Sequence, residues 1–349
     1  MNSQFRDKLL TIESSDHYLR QPSPNYDAYI DGLEGILNKL SSLLGVGKFR
    51  DLLDKKLQLD TESFNEKQYI QAACELATMN EYIGRADIQF YYEKKITPPK
   101  DVDFALCYEG KNINVEVKCP SYVNKLDSSG EDVIITSLDR APTKNDSDLI
   151  NQDLQNRLAK SGVSSKVEKS MENNLWTFLT STHEKVKDAK LQDVNVLVVC
   201  CDSALDMQAW RRYLLGFKGV FTEHSFVPHS EFDRVDYVLL TNLYNRHHRF
   251  YEADLINNHW ALSSAFNLLY PNKFSKRNST LIINGKQDYL FLSQLFNNYS
   301  EEFEDYLRDN KDIPNDNEKH EAKQILGVAW FSDKYRDKGI YHFREPKGI

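Results

Sequence analysis

Helical and strand periodicities divide this chain into recognisable stretches. Apolar residues recur at helical spacing at Ile30, Leu33, Ile36, Leu37, Leu40 and Leu44, until Gly45 and Gly47 interrupt them. Phe49, Leu52, Leu53 and Leu57 continue as a second, shorter helical stripe. Residues 1–25 are mostly polar, contain Pro22 and Pro24, and read as a loosely held lead-in. Ser63-Phe64-Asn65-Glu66 fits a capping box, which predicts a helix running to about Asn80. Ala72, Glu75 and Met79 share one face of that helix, so a carboxylate sits among apolar neighbours, where burial without a partner is costly.

The period then changes to two. Ile88, Phe90 and Tyr92 alternate with polar or amphipathic residues from Asp87 to Glu93, which predicts a strand. Thr97-Pro98-Pro99-Lys100 reads as a turn into a hairpin ending at Pro120. On its second strand Ile113, Val115 and Val117 face one way, and Asn114, Glu116 and Lys118 face the other. A tight hairpin brings Asp103 beside Glu116. Asp101 is the rival acid, with the poorer register for a strand facing Glu116. Two carboxylates and one ammonium therefore share a small patch backed by an apolar face.

Residues 121–147 lack periodicity and are rich in Ser, Asp and Lys, as expected of a long connection bordering the site. Leu149, Ile150, Leu154 and Leu158 predict a helix ending near Gly162. Ser165-Lys166-Val167-Glu168 predicts a second capping box, opening a helix through Leu175, Phe178 and Leu179. Val194–Cys201 is a nearly continuous apolar run, the signature of a strand covered on both faces. A helix is expected over Asp206–Leu215 and a strand over Val235–Leu240. Beyond residue 243, Leu281–Ile283 reads as a short strand, Tyr289–Leu307 as a helix, and residues 309–321 as a solvated loop. Neither an internal repeat nor a Gly-x-x-x-x-Gly-Lys-Ser/Thr phosphate loop is present.

With 349 residues, 40% of them hydrophobic, the chain can build a substantial core. The net charge of −8 argues against a generally basic nucleic-acid coat, though clustered cations and bound metal can still supply a local positive field. The five cysteines form no C-x-x-C pair, and Cys200-Cys201 lies inside an apolar run. A reducing, cytoplasmic compartment is expected, without membrane insertion.

Acid-x-Lys occurs eight times, so the tripeptide alone carries little information. Only at Glu116 does it lie in an alternating strand, one hairpin after an acidic cluster behind prolines and downstream of a capped helix bearing Glu75. In that context the chain resembles the PD-(D/E)xK nuclease superfamily. The resemblance covers the motif and the order of elements around it, not the whole chain. It implies an α/β fold with a restriction-endonuclease-like αβββαβ core, a mixed central sheet, extra helices and a C-terminal extension. The expected divisions are an N-terminal helical segment at 1–60, the nuclease core at 61–245 and an extension at 246–349, which would bind substrate or a partner.

The resemblance further implies phosphodiester hydrolysis by in-line attack of water. Mg2+, which prefers oxygen ligands, would be held by Asp103, Glu116, the Val117 backbone carbonyl and Glu75, with Mn2+ as substitute. Lys118 would orient the attacking water or offset charge in the transition state. The expected substrate is nucleic acid, DNA ahead of RNA, in a restriction or phage-defence role, with a homodimer or protein partner allowed. The alternative is an inactive nuclease-fold module that binds nucleic acid or protein in a larger complex. Basic clusters at Arg246 and Arg249 and at Lys273, Lys276 and Arg277 are the candidate phosphate contacts. His247-His248 has no matching acid-His spacing for a metal, and Gln152 and Gln155 are weaker polar candidates.

Overall fold

The apolar run at Val194–Cys200 forms a central strand because both of its faces are covered. In the computed structural model, which describes residues 2–120, 133–136, 144–168, 171–216, 218–252, 256–280, 285–309 and 334–338, this strand sits inside a mixed six-stranded sheet. Ahead of the sheet come helices α1 (Asn2–Leu10), α2 (Tyr26–Ser41) and α3 (Val46–Asp51), a π-helical turn at Leu52–Lys56, and α4 (Glu66–Met79). Strands β1 (Ile88–Thr97), β2 (Lys100–Tyr108) and β3 (Lys111–Lys118) then form an antiparallel meander. A small parallel pair follows, β4 (Val133–Thr136) with β5 (Ser165–Glu168), separated by α5 (Lys144–Lys160).

Helix α6 (Met171–Lys185) leads into β6 (Val194–Cys200), which lies parallel to β3. Helix α7 (Ala204–Leu215) carries the chain to β7 (Tyr237–Thr241), also parallel. After α8 (Leu243–His247), strand β8 (Asn267–Pro271) closes the order β1-β2-β3-β6-β7-β8 antiparallel to β7. Three further helices follow: α9 (Lys276–Thr280), α10 (Gly285–Leu295) and α11 (Ser300–Asp309). Among the described residues, no helix is long and apolar enough to cross a membrane.

The alternation expected of β3 sorts the core. Ile113, Val115 and Val117 join Val194, Val196 and Val198 in one apolar cluster with residues of α2 and α4. Leu197 and Val199 face the opposite cluster, against Leu175 and Leu179 of α6 and Met207 and Trp210 of α7. The β2–β3 turn follows from its sequence, since Glu109 and Gly110 both have positive φ, at 48° and 73°, as a two-residue hairpin turn requires.

Several expectations need correction. Helix α4 is capped by Asn65, not Ser63, because the Asn65 side chain accepts from Gln68 N at 3.1 Å. Ser165–Glu168 opens no helix; its backbone pairs with β4, and tertiary pairing outweighs a local capping pattern. The connection at 121–147 accordingly contains β4 and the start of α5, while residues 121–132 and 137–143 lie outside the described residues. The segment expected as one helix over Tyr289–Leu307 is two. Asn297 turns left-handed at φ 49°, and Asn298 Oδ1 accepts from both Ser300 N and Leu269 N, pinning the break to β8. Leu281–Ile283 lies outside the described residues, as does the loop beyond residue 309.

The polar lead-in is packed. Phe5, Ile12, Tyr18 and Leu19 are buried, and buried His17 lies 3.0 Å from the Leu57 carbonyl and accepts from Leu19 N. One apolar cluster runs from Phe5 to Phe296, crossing the expected divisions at 60 and 245. Tyr29 of α2 stacks on Phe250 at 3.6 Å, and Trp260 Nε1 donates to the Tyr29 carbonyl at 2.8 Å. Trp260 lies so close over α2 that a Cβ added at Gly32 would stand 2.5 Å from its Cδ1. Gly32→Ala should therefore destabilise by about 1–3 kcal/mol through overpacking, despite alanine's better helix propensity. Thermal unfolding measures it, and an unchanged or raised midpoint would contradict this packing.

Candidate active site

The β2–β3 ladder ends at Phe104↔Val115, and one further step in that register sets Asp103 opposite Glu116. There a side chain replaces a backbone acceptor: Asp103 Oδ2 accepts from Val117 N at 2.6 Å. Val102 leaves the main core for a small cluster with Val186 and Ala189 beyond α6. The ladder thus opens where the acidic side chains meet. Asp101 pairs with Lys95 on β1.

Glu116 is fully buried. Its Oε1 lies 2.6 Å from Nζ of Lys118 and 2.6 Å from Nζ of Lys185, the last residue of α6. Its Oε2 is buried with no hydrogen-bond donor among the described residues. Burying a carboxylate is tolerable only when cations or dipoles replace water, and here two ammonium groups converge on one oxygen.

Glu75 projects from α4 toward the same place. Gln71, one turn earlier, donates through Nε2 to Glu75 Oε1 and to the Val117 carbonyl, both at 2.9 Å, while its Oε1 accepts from Cys119 N at 2.9 Å. This one amide fastens α4 to the end of β3. On its other side Glu75 Oε2 meets Lys56 at 3.1 Å, and Lys56 also reaches Glu93 at 3.0 Å. Glu93 sits in β1 at φ 46°, a left-handed conformation that costs a non-glycine residue on the order of 1 kcal/mol.

The electrostatics bind these groups into one unit. Enclosure, followed by the charges of Glu75 and Glu116, raises the Asp103 carboxyl well above its ordinary value. Burial alone would lower Lys118, but the Glu116 carboxylate and the charges of Asp103 and Glu75 outweigh it, and Lys118 is raised. Lys56 behaves in the same way: burial opposes its charge, while Glu75, Tyr92 and Glu93 raise it overall.

Asp103, Glu116, Lys118 and Glu75 therefore gather at one point, with the Val117 carbonyl held beside them. Sequence reasoning missed Gln71, Lys56, Glu93 and Lys185. Gln71 carried a signal in its i, i+4 spacing to Glu75. Lys185 carried none, because its place depends on how α6 lies across the sheet.

By donor type this set suits a hard divalent cation: the Glu75, Asp103 and Glu116 carboxylates and the Val117 carbonyl all offer oxygen. Glu116 Oε2 is buried without a hydrogen-bond partner among the described residues, and the Asp103 carboxyl is raised first by burial and then by its acidic neighbours.

The basic clusters lie elsewhere. Arg246 is fully buried and donates to the carbonyls of Lys338, Asn257 and Asn258 at 2.8, 2.5 and 2.9 Å. Arg277 is buried and paired with Asp288. Arg249, Lys273 and Lys276 are about half exposed, near Glu252 at 3.8 Å, Glu223 at 3.9 Å and Asp233 at 3.0 Å. His247 is buried with Nδ1 3.0 Å from the Tyr29 hydroxyl, and burial, then His259 and Arg246, hold its pKa well below the ordinary value. His248 ends α8 and bridges Asp202 and Glu66 at 3.2 and 3.4 Å. Gln155 makes a 3.5 Å bond to the Ser165 carbonyl.

The chain matches no protein-family model, no curated protein and no solved structure.

Proposed function

We propose that this chain is a Mg2+-dependent nuclease with a PD-(D/E)xK-like core, acting on DNA ahead of RNA. The observation that carries the reading is Glu116: a fully buried carboxylate shared by Lys118 and Lys185, next to a raised Asp103 at the opened end of a hairpin. Asp103, Glu116, Glu75 and the Val117 carbonyl would hold the cation. Bound there, it would polarise a phosphodiester and activate water.

The chain's own residues supply the rest. The Val117 N–H fixes the Asp103 carboxylate, and Gln71 fixes Glu75 and the end of β3, so the oxygens are placed before substrate arrives. Lys118 and Lys185 are the two ammonium groups that meet Glu116. When Glu116 turns toward a cation, both are available to a phosphate whose charge grows in the transition state. Of the basic residues expected to contact phosphate, Arg246 and Arg277 are interior. That favours a narrow substrate or a partner that brings it, in keeping with a restriction or phage-defence role.

The test is incubation with plasmid, linear duplex, single-stranded DNA and RNA, in Mg2+, Mn2+ or EDTA. Metal-dependent cleavage that disappears in Glu116→Gln and Lys118→Ala supports the reading, and cleavage that survives both overturns the site. Binding without cleavage of any substrate would favour the non-catalytic module. Lys185→Gln should lower the initial rate about a hundredfold, as loss of one charge-stabilising group does, with Lys185→Arg partly restoring it. A Lys185→Gln rate equal to wild type would remove that residue from the chemistry.

A further inference from the structure

Three of the five cysteines meet in the core. Cys74 lies in α4, Cys119 directly follows β3, and Cys200 ends β6, and all three are buried. Their sulfur atoms lie within 4.8 Å of one another. Cys107 and Cys201 are outside the group, Cys201 directing its sulfur toward the Val199 carbonyl at 3.7 Å. We propose that Cys74, Cys119 and Cys200 form a binding site for a thiophilic d10 cation, Zn2+ or Cu+, that staples α4 to the ends of β3 and β6.

The geometry suits such an ion. With metal–sulfur bonds of about 2.3 Å, three sulfurs around one ion stand about 4 Å apart. The observed separations need only a small contraction, within reach of side-chain rotation. The ligands come from three separate elements, so a bound ion would add a further tie to the Gln71 bonds between α4 and the end of β3 and to the β3–β6 ladder. Binding displaces one proton to solvent from each coordinating thiol, leaving three thiolates around the ion. Zn2+ would add a water as fourth ligand, whereas Cu+ is satisfied by three sulfurs.

The position links this site to the carboxylates without sharing ligands. Cys74 precedes Glu75, and Cys119 follows Lys118. Along the end of β3, hard oxygen donors give way to soft sulfur donors within three residues. Mg2+ and a thiophilic ion would therefore sort themselves by ligand type. The proposal does not depend on nuclease activity, because an ion can hold these elements together whatever the neighbouring carboxylates do.

The experiment uses the full chain, reduced and stripped of metal, then given Zn2+ alone, or Cu+ alone under anaerobic reducing conditions. Bound metal is counted after gel filtration, the unfolding midpoint is recorded, and Co2+ serves as an optical probe for thiolate-to-metal charge transfer. Wild type is expected to retain about one ion per chain, unfold several degrees higher and show the thiolate band with Co2+. Excess Mg2+ should not displace the ion, and Asp103→Asn should retain it. Cys200→Ser and Cys119→Ser should each lose both ion and band, while Cys201→Ser keeps them. Circular dichroism confirms that the variants fold, and Cys119, at the edge of the cluster, is the variant least disturbing to the core. Which arm fills the site decides between Zn2+ and Cu+. A folded wild type that retains neither ion, or serine variants that bind as wild type does, would overturn the proposal.

Discussion

Asp103→Asn should abolish cleavage and, in the same protein, raise the stability of the metal-free state. The first effect is a loss of about a thousandfold or more, as expected when a group that places charge in the transition state is removed. The second follows from the apo electrostatics. Asp103 is raised by enclosure and by Glu75 and Glu116, so its folded pKa lies above its unfolded value near 3.8. A raised acid contributes its stability in full below the unfolded pKa and loses it as pH climbs through the folded one. Asparagine carries no such charge and can still accept from Val117 N.

The two proteins should therefore melt alike near pH 4, and the variant should melt a few degrees higher at pH 8 without divalent ions. Saturating Mg2+ should shrink or reverse the difference, because the ion stabilises only the form that holds it. Melting curves at both pH values, with and without Mg2+, read both effects. A variant less stable at pH 8 than at pH 4, relative to wild type, would show that the carboxylate is comfortably paired when no divalent ion is supplied.

Arg246→Ala should cost about 3–5 kcal/mol, because it leaves the carbonyls of Asn257, Asn258 and Lys338 without these donors and opens a void in the core. A fall in melting temperature on the order of 10 °C, or failure to accumulate folded protein, is expected. Arg246→Lys should recover only part of it, since one ammonium cannot reproduce the guanidinium fork. A phosphate-contacting arginine would behave differently. Its loss would leave the melting temperature alone and weaken nucleic-acid binding in a salt-dependent way. Differential scanning calorimetry beside a binding titration at two salt concentrations separates these outcomes.

Some of this architecture was legible from local pattern. Alternation at Ile113–Lys118 and the apolar run at Val194–Cys200 were visible because one strand is bordered by a tight turn and the other is covered on both faces. Register then follows from the alternation, and one step beyond the Phe104–Val115 pair it sets Asp103 opposite Glu116. The capping motifs were less reliable. Ser63 and Ser165 both begin a Ser-x-x-Glu pattern, yet Asn65 caps one helix and the other segment is a strand, settled by its pairing with Val133–Thr136.

The residues that escaped notice are those whose roles depend on distant packing. Lys185 and Lys56 reach the carboxylates from elements whose placement no local periodicity encodes. The same holds for Arg246, which reads as surface charge until α8 is packed beneath Trp260 and the loop at 257–258. In the lead-in, His17, Tyr18 and Leu19 are too few to make a pattern, but they fill a space against Leu57, Phe64 and Tyr69.

We propose that Glu75, Asp103 and Glu116 form a divalent-cation site, and titration of Mn2+ into the metal-free protein, followed by calorimetry or electron paramagnetic resonance, is the test. Wild type should bind saturably, Mg2+ should compete, and Asp103→Asn and Glu116→Gln should each abolish the high-affinity phase while Cys200→Ser leaves it intact. Absence of saturable binding to folded wild type, or equal binding by both carboxylate variants, would rule out a cation site at these carboxylates.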